Sequence, residues 1–66
     1  MTKDELSNKI EHGIDRWGLS SVLAIIASIC FEKSESLIIG WQDYDNARVW
    51  TNYGRAINRL ASKVEN

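Results

Sequence analysis

Apolar residues recur in the first part of the chain at Leu6, Ile10, Ile14 and Trp17, at spacings of four, four and three. That is one face of a helix with 3.6 residues per turn. Every other position from Lys3 to Arg16 is polar apart from Gly13, so the pattern predicts an amphipathic helix over 3–17. Thr2 followed by Glu5 reads as a capping box, in which the threonine hydroxyl accepts from the amide of residue 5 and the Glu5 carboxylate returns to the amide of Thr2. Gly18 falls where a left-handed residue ends a helix. Gly13 lies beside the apolar stripe and leaves room for the backbone of another helix; without such a neighbour it costs up to about 1 kcal/mol relative to alanine.

The second segment has a different texture. Nine of the ten residues from Val22 to Phe31 are apolar, broken only by Ser28. A helix with no polar face belongs at the centre, covered on several sides. The β-branched residues Val22, Ile25, Ile26 and Ile29 also suit a buried strand, but Ala24 and Ala27 favour a helix and the chain offers no strand partner. Ser20 or Ser21 is the expected N-cap, with Leu19 as a hydrophobic staple. A more exposed turn through Glu32, Lys33 and Glu35 leads to Leu37, Ile38 and Ile39, with Gly40 as the stop. The expected helix covers 20–39.

In the third segment Trp41-Gln42 forms a tight connection and Asp43 is a good N-cap. Trp50, Tyr53, Ile57, Leu60 and Val64 repeat at three, four, three and four, a heptad seam flanked by the small residues Gly54 and Ala61. Arg48, Arg55 and Arg59 lie opposite, with Lys63 nearer the edge. The fold expected is all-α, a single domain over 1–66: a compact three-helix bundle of about 3–17, 20–39 and 43–64, with the second helix central. Two short neighbours leave part of Val22–Phe31 uncovered, which points to a homodimer that buries the remainder.

Size sharpens that expectation. A core built from 66 residues supplies only about 3–5 kcal/mol, and small domains of this kind often need disulfides, metals or a partner subunit. Cys30 is the only cysteine, so no disulfide forms within one chain, and its apolar surroundings suit a reduced, cytoplasmic protein. Residues 1–12 lack the apolar core of a signal peptide. The run from Val22 to Phe31 is far short of the ~20 residues that span a bilayer. A net charge of −1 gives no general attraction to nucleic acid or to anionic membranes.

Candidate chemistry is sparse. His12 is the sole histidine and sits on the polar side of the first helix, while Cys30 lies in the apolar run; a zinc or di-iron site needs several converging ligands. Asp43-Tyr44-Asp45-Asn46 opens like an EF-hand loop, but Ala47 and Arg48 stand where the template needs an oxygen ligand and a glycine. Glu32 and Glu35 are one turn apart, yet Lys33 between them reads as a solvated turn. The serines have no paired base and no G-x-S-x-G elbow, and the four glycines are scattered rather than gathered in a phosphate loop. The expectation is a non-enzymatic protein with neither metal nor cofactor.

Two surface features remain. Arg48, Arg55, Arg59 and Lys63 form a basic stripe that suits an acidic protein partner or a nucleic-acid backbone; its bland alternative is the solvated face of any amphipathic helix. Two helices joined by a short turn also resemble a helix-turn-helix in outline. Of the tryptophans, Trp17 and Trp50 are expected in the core. Trp41 either caps the bundle or, with Phe31 and Ile38, anchors an interface.

The run from Asp15 to Trp50 resembles a group of short bacterial and phage-type helical proteins, through Asp15-Arg16, Gly18-Leu19, Val22-Leu23, Ile29-Cys30, Glu32-Lys33, Trp41-Gln42-Asp43 and Trp50. The chain departs from that pattern at Ser34 and Ser36, with Leu37 following, where the group has alanine, histidine and an aliphatic residue. The resemblance implies a helical fold and no particular activity. The function expected is a small protein-interaction module acting as a homodimer on an unidentified protein partner, with a nucleic-acid-binding regulator as the alternative.

Overall fold

The computed structural model describes residues 1–64. Three helices fill almost all of them: α1 (Lys3–Trp17), α2 (Leu19–Trp41) and α3 (Tyr44–Lys63). No strand occurs among the described residues. α2 is the central element and packs on both neighbours, while α1 and α3 do not pack on each other.

The N-terminal cap of α1 forms in half: the Thr2 hydroxyl accepts from the Glu5 amide at 3.1 Å, but the reciprocal bond from the Glu5 carboxylate is not made. Gly18 alone separates α1 from α2. Its φ of 89° and ψ of 152° lie outside the left-handed helical region, in territory that is essentially restricted to glycine. Its amide still closes α1 on the Ile14 carbonyl at 2.8 Å.

Both ends of α2 differ from expectation. The helix begins at Leu19, with Gly18 as its N-cap and no side-chain cap bond; Ser20 is already inside the first turn, and its hydroxyl donates across to the Ala61 carbonyl at 3.1 Å. Gly40 does not stop the helix, which runs on to Trp41. The stop is Gln42, held left-handed at φ 52° and ψ 33°, and its amide returns to the Ile38 carbonyl. Asp43 then caps α3 as expected, accepting from the Asn46 amide at 3.2 Å.

α2 and α3 form an antiparallel hairpin whose register is fixed by two equivalent bonds. Ser20 donates to the Ala61 carbonyl, and fourteen residues later Ser34 donates to the Ala47 carbonyl at 2.8 Å. That register places Ala27 opposite Gly54, midway. The contact is therefore a column of small residues every seventh position on both helices, and Ala27, Ser34, Ala47, Gly54 and Ala61 are all buried. Small residues at heptad spacing let two helix backbones approach closely. Phe31 lies across Gly54, where an added Cβ would come within 2.6 Å of its ring.

This corrects the seam expected for α3. The residues that α3 buries against α2 are the small ones; the bulky seam is displaced to one flank, where Tyr53 and Leu60 are each 52% exposed. No large side chain is fully buried among the described residues. The segment Val22–Phe31 is not covered on nearly all sides either. Ala27 and Cys30 are buried, but Ala24, Ile25, Ser28 and Ile29 are exposed, because α1 leaves α2 soon after the contact between Gly13 and Val22. The molecule measures 38 × 30 × 13 Å, about one helix diameter thick.

Candidate interaction surface

Helical spacing of 100° per residue gathers apolar positions of both helices, most of them half-buried, on one face of the hairpin, while Ile25, Ile29 and Ile39 are exposed on other sides of α2. On α2 this flank carries Val22, Ile26, Lys33 and Leu37; on α3 it carries Trp50, Tyr53, Ile57 and Leu60. The two flanks meet where the Lys33 ammonium lies 5.4 Å from the centre of the Trp50 ring, and Trp50 meets Tyr53 edge to face at 5.6 Å. The opposite face is polar. There Ser34 donates to the Ala47 carbonyl, so the Thr51 hydroxyl donates to Ser34 at 2.7 Å.

Toward the hairpin turn the apolar face opens into a groove of about 450 Å³, lined by Ile29, Leu37, Trp41 and Trp50 with Glu32, Lys33 and Ser36 at its rim. Trp41 is 80% exposed and the neighbouring Ile39 73%. Trp41 therefore neither caps the hairpin nor enters a core: it follows Gly40 on the last turn of α2, beyond the reach of α1. Ile38 is exposed beside it. Phe31 differs from these two, since its ring is turned inward over Gly54.

α1 offers a second apolar surface. Leu6 and Ile10 are exposed and, with Lys3 and Ser7, line a shallow depression of about 240 Å³. Trp17, expected in the core, is 60% exposed; it ends α1 one residue before the chain turns at Gly18, and the Arg16 guanidinium stacks 5.1 Å from the centre of its ring. No helix of the described residues is long and apolar enough to cross a membrane.

The basic stripe lies on the flank of α3 that faces away from the seam. Arg48, Arg55, Arg59 and Lys63 are exposed, and none is in an ion pair among the described residues. His12 is exposed and Cys30 is a buried free thiol. No group of three or more His, Cys, Asp or Glu side chains converges on a metal-sized site among the described residues. Glu32 lines the groove, Glu35 lines a neighbouring depression with Ile39, Gly40 and Trp41, and Asp43 serves as a helix cap.

The bare apolar face was legible as an excess: nine apolar residues in a run of ten are more than two short helices cover. Its position was not, because that depended on which residues α3 buries. No family model matches the chain, and no curated protein or solved structure matches it.

Proposed function

We propose that the protein is a non-enzymatic helical interaction module that works as a homodimer, joined through the apolar face shared by α2 and α3. The observation that carries this reading is the exposed area. The chain exposes 5376 Å², whereas a compact protein of 7.5 kDa exposes about 4,200 Å². The excess, about 1,100 Å², is somewhat more than the ~800 Å² that each partner buries in a standard protein interface. The radius of gyration points the same way, at 13.6 Å against about 11 Å for a compact chain of this length.

A layer one helix thick has no interior, and stable domains need two layers around an apolar centre. A second copy supplies that layer with the same surface it needs itself, which is the condition for a two-fold pair.

Light scattering or sedimentation at micromolar concentration tests the pair. Twice the chain mass is expected, and Tyr53→Glu with Leu60→Glu should return the chain to single mass. A strictly monomeric native chain with a cooperative melt would remove the proposal.

A second reading is favoured by the four exposed cations of α3, none in an ion pair among the described residues: a nucleic-acid-binding regulator that uses Arg48, Arg55, Arg59 and Lys63 on the flank left free by pairing. Binding of this kind weakens steeply with salt as phosphate counterions are released. Titration with duplex DNA and with single-stranded RNA at low salt, repeated with Arg55→Glu and Arg59→Glu, decides it. Absence of binding at low salt, or binding indifferent to both substitutions, excludes it.

A further inference from the structure

The hairpin face and the α1 stripe are two bare apolar surfaces on one chain, and they differ in shape. The groove between Ile29, Leu37, Trp41 and Trp50 is concave, while α1 is a ridge with Leu6 and Ile10 exposed along it. Lys3 lines the ridge, and Glu32 lines the groove beside Lys33, so one pairing of opposite charge is available where the two would meet. We propose that the groove at the hairpin turn receives α1 of a second copy, so that each chain's α1 is an arm clasping its partner. This rests on the homodimer proposed above.

Three observations direct the arm to the partner rather than to its own hairpin. α1 is tied by the single residue Gly18 to the start of α2, whereas the groove lies between Ile29 and Trp41, near the other end. The run from Val22 to Leu37 alone spans about 22 Å at 1.5 Å per residue. To reach the groove within its own chain, α1 would have to lie back along α2 over Ile25 and Ile29, and both of these are exposed. In a two-fold pair with the hairpins antiparallel, the start of one α2 faces the turn of the other. The partner's α1 then emerges beside the groove, and the same contact forms twice.

Cross-linking in the full chain tests the arm. Ser7 flanks the ridge and Ser36 the groove, and both are exposed. After mild oxidation, a mixture of Ser7→Cys chains and Ser36→Cys chains should give a mixed covalent dimer in larger yield than either chain alone. The chain carrying both substitutions should run as a covalent dimer on a non-reducing gel. A fast-migrating covalent monomer from that chain overturns the proposal, because it puts the arm on its own hairpin. No cross-link, with light scattering still at dimer mass, also overturns it while leaving the homodimer intact. Monomer mass removes both.

Leu6→Glu with Ile10→Glu gives an independent reading, since both side chains are exposed and their loss leaves the hairpin contact untouched. The dimer dissociation constant should rise by at least about tenfold, with helicity at high concentration preserved. An unchanged constant counts against the arm.

Discussion

At Gly54 a methyl group meets one edge of the Phe31 ring: a built Cβ lies 2.6 Å from Cε1, 2.8 Å from Cζ and 2.9 Å from Cδ1. Two effects oppose each other in Gly54→Ala. Alanine gains about 1 kcal/mol of helix propensity, and overpacking costs about 1–3 kcal/mol. The expected net is a loss of about 1 kcal/mol in chemical denaturation. In a Phe31→Leu background the obstruction is gone, so the same substitution should become neutral or stabilising. A double-mutant cycle reads this reversal of sign directly; Gly54→Ala effects that are equal in the two backgrounds would show that ring and glycine are not coupled. Ser34 makes a second residue-level case. Its buried hydroxyl donates to the Ala47 carbonyl and accepts from Thr51, so Ser34→Ala removes two bonds while keeping the small volume the column requires. A cost of about 1–3 kcal/mol is expected for the two bonds, and Ser34→Leu should cost more by forcing the helices apart. If leucine is tolerated as well as alanine, close approach is not what the small residues provide.

The elements themselves are set by local chemistry, and their ends depend on two residues with positive φ. Gln42 adopts φ 52°, which costs a residue with a Cβ about 1–2 kcal/mol. Gln42→Gly relieves that cost and adds some backbone entropy to the unfolded chain. A gain of about 0.5–1 kcal/mol in thermal or urea unfolding is expected, and a loss would mean that the glutamine side chain makes a contribution of its own. At Gly18, in a region closed to residues with a Cβ, Gly18→Ala should cost about 1–3 kcal/mol. Three helices and a central second one were readable because the 3.6-residue period, the Thr2 and Asp43 caps and the nearly continuous apolar run all depend on near neighbours in sequence. The misplaced features depend on distant ones. Ser20 reads as a cap until the Ala61 carbonyl is brought opposite it. Gly40 reads as a stop, yet nothing forces a glycine to be left-handed, and Gln42 takes that conformation instead. Trp50, Tyr53 and Leu60 look like the core of α3 because burial is usually inferred from bulk. The helices instead meet along Ala47, Gly54 and Ala61, whose seven-residue spacing carries the signal that bulk conceals. The same displacement leaves Trp17 and Trp41 outside any core of the single chain.

For the molecule as a whole, a chain whose apolar face is closed by a second copy, as proposed above, folds and associates in one process. On that proposal, the face that a single chain leaves bare is the one that pairing buries, and the native state then gains stability from mass action as well as from contacts. Heat then reports on concentration. Globular chains unfold with about 2.1 cal/mol/K of entropy per residue, and a chain of this size carries about 0.14 kcal/mol/K; diluting a folded dimer tenfold removes about 1.4 kcal/mol per dimer, so its melting midpoint should fall by about 5 °C. Across a hundredfold range, from about 2 to 200 μM, the expected fall is about 10 °C, well outside the error of a circular dichroism melt. The Tyr53→Glu, Leu60→Glu chain should melt lower than the native chain at every concentration, and at a midpoint that does not move on dilution, because its face can no longer close on a copy of itself. A native midpoint equally indifferent to dilution would mean that the flat layer holds together alone. The excess area would then have to be covered by a partner other than a second copy.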